Sequence, residues 1–114
     1  MTETTKRPAR RTDRTAAVVA EVKAARKVLG DEPMPLTGGQ RPAKGRAHHQ
    51  RESNRWQSIE MSRRLAATPG WDSTILAAAF GALAKDEAQH VRGGLIHLAA
   101  LAVAAVESID QEAA

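Results

Sequence analysis

The chain reads as an all-α protein of four helices, and three observations predict it. Alanine is very frequent and β-branched residues are sparse outside the C-terminal segment, a balance that favours helices over strands. Apolar residues recur every three to four positions in several stretches. Proline and glycine cluster between those stretches, where they stop helices. The 114 residues suffice for one small domain.

Residues 1–14 are charged, contain Pro8 and lack an apolar period, so they read as a disordered basic arm. A first helix is expected from Thr12 or Asp13, either of which is a good cap. Val18, Val19, Val22, Ala25, Val28 and Leu29 mark its apolar positions, and Gly30, Pro33 and Pro35 end it. Residues 30–46 hold three prolines and four glycines and read as a long loop. A strongly charged second helix is expected over 47–67, with Trp56, Ile59, Met61, Leu65 and Ala66 as its apolar positions, ending at Thr68-Pro69-Gly70.

The third helix is expected to start between Trp71 and Ser73, with Asp72 or Ser73 at its cap, and to reach Lys85. Ile75, Leu76, Ala79, Phe80 and Leu83 form its predicted buried stripe. The fourth runs over 89–109 and forms an antiparallel hairpin with the third. Leu95, Leu98, Leu101, Ala102, Ala105 and Ile109 are its candidate core or dimer-packing residues. Ile96, Val103 and Val106 make it apolar on other sides too, as in a helix surrounded by partners. A single domain spans 15–110, followed by a tail over 111–114. With only Trp56, Trp71 and Phe80 aromatic, its core buries little area per residue, so a homodimer is expected.

Cysteine is absent, which excludes disulfides and cysteine-ligated zinc and fits a cytoplasmic setting. No signal peptide is visible, and Leu95 to Val106 reads as too short to span a bilayer, so no membrane partner is expected. The net charge of +4 is unevenly placed. Residues 41–64 set seven basic groups against Glu52 and Glu60, whereas 75–114 set Lys85 and Arg92 against five acids. Lys44, Arg46, Arg51 and Arg55 are candidate phosphate-binding residues, and the basic arm with Arg7, Arg10 and Arg11 leaves nucleic acid open as a partner. The opposing reading is a solvated arm and a solvated helix face. His48 and Glu52 share a face at metal-ligand spacing, but no third ligand is near them in sequence. Thr37-Gly38-Gly39 is too short for a phosphate loop and lacks its lysine.

The order of these segments resembles the small single-domain MazG-like nucleotide pyrophosphohydrolases of bacteria and phages, all-α enzymes. The matching runs are Ala20-Glu21-Val22-Lys23-Ala24-Ala25-Arg26, Leu29 to Glu32, Pro35 to Gly38, and Trp71 to Asp110. The resemblance covers residues 16–110 and is weakest over 40–65. It implies helix-borne glutamates, EExxE on the third helix and ExxD or ExxQ on the fourth, that hold Mg²⁺ to activate water against a triphosphate.

Here those positions fall on Ala77, Ala78, Gly81, Gly94 and His97, and Ala25 replaces a further acid. No catalytic residue is therefore assigned and no cofactor is expected, Mg²⁺ being required only if the chain is an active hydrolase. The resemblance then implies a degenerate member that binds a nucleotide or protein partner without hydrolysis, with close packing of the third and fourth helices across Ala78 and Gly94. Two alternatives stay open. One is an active pyrophosphohydrolase using Glu60, Asp86, Glu87 or Glu107; the other is a basic nucleic-acid-binding accessory protein.

Overall fold

The computed structural model describes residues 10–113, and among them every regular element is helical. The helices are α1 (Arg11–Leu29), α2 (Pro42–Leu65), α3 (Trp71–Leu83) and α4 (Ala88–Ala113). The arm predicted for residues 1–14 lies mostly outside the described residues, but Arg11 to Arg14 already belong to α1. Arg10 stands at its cap position without a side-chain bond, so Thr12 and Asp13 sit inside the first turn rather than at the cap. There Asp13 faces the positive end of the helix dipole. At the other end Gly30 turns the chain at φ +76°, and Arg26 donates to the Gly30 carbonyl at 2.7 Å.

The loop expected over residues 30–46 is shorter, because α2 begins at Pro42. Proline fits the first helical position, where its missing N–H has no partner to lose and its φ is already helical. The loop folds back on the new first turns: a Cβ on Gly45 would lie 3.0 Å from Thr37 Cγ2. At its far end α2 stops at Leu65, two residues before the expected Ala67. Ala67 takes a left-handed φ of 59°. Its N–H and that of Thr68 bond back to Arg64 and Arg63, completing a Schellman cap with alanine where glycine is usual.

Helix α3 is capped by Gly70, whose carbonyl accepts from Ser73 Oγ and Thr74 Oγ1 at 3.3 and 3.2 Å. Asp72 thus lies in the first turn rather than at the cap. Arg63 of α2 donates to Asp72 at 2.9 Å and holds that carboxyl below the usual aspartate range. Helix α4 runs to Ala113, so Gln111 to Ala113 are helical and not a tail.

In space the helices are ordered α2, α3, α4, α1, with α1 packed on α4 alone. In this helical bundle α2 and α1 stand at the two ends of an open row and do not meet. The chain is 21 Å thick in its thinnest direction, about two helix diameters. Its radius of gyration is 18.0 Å, against about 13 Å for a compact domain of this length.

The predicted stripe of α3, Ile75, Leu76, Ala79, Phe80 and Leu83, is only half-buried. The fully buried residues of α3 are instead Ser73, Ala77 and Ala82. α3 lies between two helices, and the smallest side chains sit where those neighbours come closest. A Cβ on Gly94 of α4 would stand 2.8 Å from Ala82 Cβ and 3.0 Å from its Cα. Ser53 of α2, 1 % exposed, faces Gly81, with Oγ 3.5 Å from the position of an added Cβ. Among the candidate core residues of α4, Leu98, Leu101 and Ala105 are half-buried, whereas Leu95, Ala102 and Ile109 are exposed.

Three measurements test this architecture. Gly94→Ala is expected to lower stability by about 1–3 kcal/mol through overpacking, although alanine is the better helix former; Gly93→Ala, with open space around it, is expected to raise stability by up to ~1 kcal/mol. Equal effects in urea melts would contradict the close α3–α4 contact. Ala67→Gly is expected to stabilise by about 1 kcal/mol by relieving the left-handed strain; a loss of stability would rule out the Schellman geometry. Finally, the Asp72 carboxyl titration followed by NMR is expected to have a midpoint below that of ordinary aspartate. Arg63→Ala should return it upward. Because the folded pKa is depressed, this link stabilises near neutral pH and is lost as pH falls through the Asp72 titration.

Candidate functional site

The positions where the resemblance expects metal-binding acids do not gather round one cleft. Ala77 is buried, Gly81 faces Ser53 of α2, and Gly94 faces Ala82 of α3. The atoms nearest the missing Gly94 side chain belong to Ala82, one turn beyond the expected partner Ala78. Ala78 is half-buried, while His97 is exposed. Ala25 lies on the uncovered half of α1.

The remaining carboxylates near the hairpin are each engaged at a different place. Glu60 accepts from Thr74 Oγ1 of α3 at 3.0 Å and from Arg64 of its own helix at 3.0 Å. Asp86, in the turn before α4, pairs with Arg46 of α2 at 3.4 Å. Glu87 lies 3.9 Å from His90. Glu107 accepts from Thr15 of α1 at 3.0 Å. Among the described residues no three His, Asp or Glu side chains are grouped to hold a metal ion.

The four candidate phosphate-binding residues separate into two sets. Lys44, Arg51 and Arg55 are exposed at spacings that share one face of α2, whereas Arg46 is half-buried beside the α3–α4 turn. Arg55 pairs with Glu52 at 3.3 Å and lies 5.6 Å over the Trp56 ring. Arg63 and Arg64 face Asp72 and Glu60. Much of the positive charge of α2 thus meets carboxylates of its own chain.

His49 packs against Phe80 with ring centroids 6.0 Å apart, and its buried Nδ1 has no hydrogen-bond partner. His48 stands beside it at 5.7 Å, exposed, and Glu52 turns to Arg55.

A groove of about 680 Å³ runs between α1 and α4. Val19, Val22, Ala100 and Val103 line its apolar walls, Trp71 closes one side, and Glu107 marks its polar end. Sequence reasoning missed this groove, because it depends on how far α1 diverges from α4. The helix that forms one wall, α4, is 26 residues long and by length and composition alone is apolar enough to cross a membrane, although core helices of soluble proteins meet the same criterion. The shorter stretch Leu95 to Val106 understated that length, because Val91, Gly93 and Gly94 before it and Ile109 after it keep the average apolar beyond its ends.

Fold and site together define a four-helix protein with a carboxylate-free hairpin seam and an open apolar groove. No family model, curated protein or solved structure matches the chain.

Proposed function

We propose that the chain works by binding a nucleotide or protein partner rather than by hydrolysing nucleotides, on a scaffold of the MazG-like kind. One observation carries this reading. The carboxylates are dispersed to separate helix contacts, while the α3–α4 seam is filled by Ala82 against Gly94. A Mg²⁺-dependent hydrolase needs several oxygen ligands converging on one octahedral ion, with room for the triphosphate they activate. Small residues in the seam also spare the fold the repulsion of clustered acids. The α1–α4 groove offers binding surface that the seam lacks.

Incubation with a panel of NTPs and dNTPs, with Mg²⁺ or Mn²⁺, is expected to release no pyrophosphate above the protein-free rate. Release that a chelator abolishes, and that Glu60→Gln or Glu107→Gln reduces, would establish the hydrolase instead.

A further inference from the structure

We infer that the outer face of α2 docks a nucleic-acid duplex through its phosphate backbone. This face lies apart from both the α3–α4 seam and the α1–α4 groove, so its role stands whether or not the chain hydrolyses nucleotides.

Arg41, Lys44, His48, Arg51 and Arg55 follow one another at spacings of three and four residues. At 3.6 residues per turn they fall within an arc of roughly 80°, and at 1.5 Å per residue the row is about 21 Å long. All five are exposed. The face is open because α2 packs on α3 alone. That contact uses the other side of the helix, where His49, Ser53 and Glu60 meet Phe80, Gly81 and Thr74.

The row also keeps its charge. The carboxylates of the chain take Arg46, Arg63 and Arg64, which lie outside it. Among the described residues no carboxylate pairs with Arg41, Lys44 or Arg51. Arg55 shares Glu52 but leaves 63 % of its side chain exposed. The row itself contains no acid. Arg41 thus takes the place that spacing alone gave to Arg46.

Charge and shape together select a duplex as the partner. A duplex carries one negative charge per ~1.7 Å of its axis, so a row of this length meets several phosphates. A bilayer needs apolar side chains beside the cations. Here the flanks are Ala47, Gln50, Asn54 and Ser58, and the large exposed apolar residues of α2, Met61 and Leu65, lie beyond Arg55. A single strand needs exposed aromatic rings for its bases. Trp56 is half-buried, with the Arg55 guanidinium 5.6 Å over its ring. Contacts to phosphate alone carry no base information, so binding is independent of sequence.

Fluorescence anisotropy of a labelled 20-base-pair DNA duplex, titrated with the full chain, tests this face. Saturable binding is expected at 50 mM KCl, with affinity falling by roughly 40- to 150-fold at 200 mM as three or four phosphate contacts are lost to counterions. Arg41→Gln, Lys44→Gln and Arg51→Gln combined are expected to weaken binding by at least about 10-fold and to flatten the salt slope by about three. Lys23→Gln, Lys27→Gln and Arg92→Gln combined remove as much charge from exposed positions of α1 and α4, and are expected to change affinity by less than about 3-fold. Amide NMR shifts on adding the duplex to wild type should be largest over residues 41–55. Absence of binding at 50 mM KCl overturns the proposal, as does binding insensitive to the α2 triple variant or weakened equally by both triples. Displacement of the duplex by an equal charge of polyglutamate would assign the row to an acidic protein. Binding to phosphatidylcholine–phosphatidylglycerol vesicles but not to the duplex would assign it to a membrane. Either result overturns the proposal too.

Discussion

The close approach of α4 to α3 at Gly94 and Ala82 is the contact on which the rest of the molecule depends. A separation this small is open only to residues with almost no side chain, and it fixes the register of the hairpin. It also brings backbone to backbone where a ligand-binding cleft would need space. On the opposite side of α3 the same economy holds, with Ser53 against Gly81 and Ser73 and Ala77 buried. α3 is thus held by neighbours on both sides through small groups that fit closely but remove little apolar area from water. The consequence appears at α1, which has only α4 to rest on and leaves much of its own apolar stripe uncovered.

Because the core is thin, polar contacts do much of the positioning. Thr74 reaches Glu60 and Arg63 reaches Asp72 across α2 and α3, Thr15 reaches Glu107 across α1 and α4, and Arg46 ties α2 to Asp86 in the turn before α4. Surface ion pairs add little stability individually, but their placement fixes helix order and rotation. It also consumes the groups that a catalytic or polyanion-binding reading needs. An acid that holds two helices together is not at the same time converging with other acids on a metal, and an arginine facing its own chain's carboxylate attracts phosphate less strongly.

Much of this was legible in the sequence. Four helices, the punctuation at Gly30 and at Thr68 to Gly70, and the antiparallel hairpin all follow from period and breaker residues. Pro42 was misread as loop because proline is ambiguous between a stop and a first helical residue until the following turn is seen. The buried face of α3 was assigned to its largest apolar residues, a rule suited to a helix on the surface of a deep core. In a helix flanked on both sides the closest contacts select the smallest residues, and the four-residue spacing of Ser73, Ala77 and Gly81 was the available signal. Residues 77, 78, 81, 94 and 97 were singled out as one set, yet they serve separate contacts and separate surfaces.

The sequence by itself determined which segments are helical, where they stop, that the hairpin carries no acids at its centre, and that large side chains are scarce. These are local properties of composition and spacing, carried by each residue wherever the chain goes. Only the tertiary structure decided that the helices form an open row, that Gly94 meets Ala82 rather than Ala78, and that α1 diverges from α4 to leave a groove. Those outcomes depend on how closely two backbones approach, a distance set jointly by residues far apart in the chain and absent from the period of either helix alone.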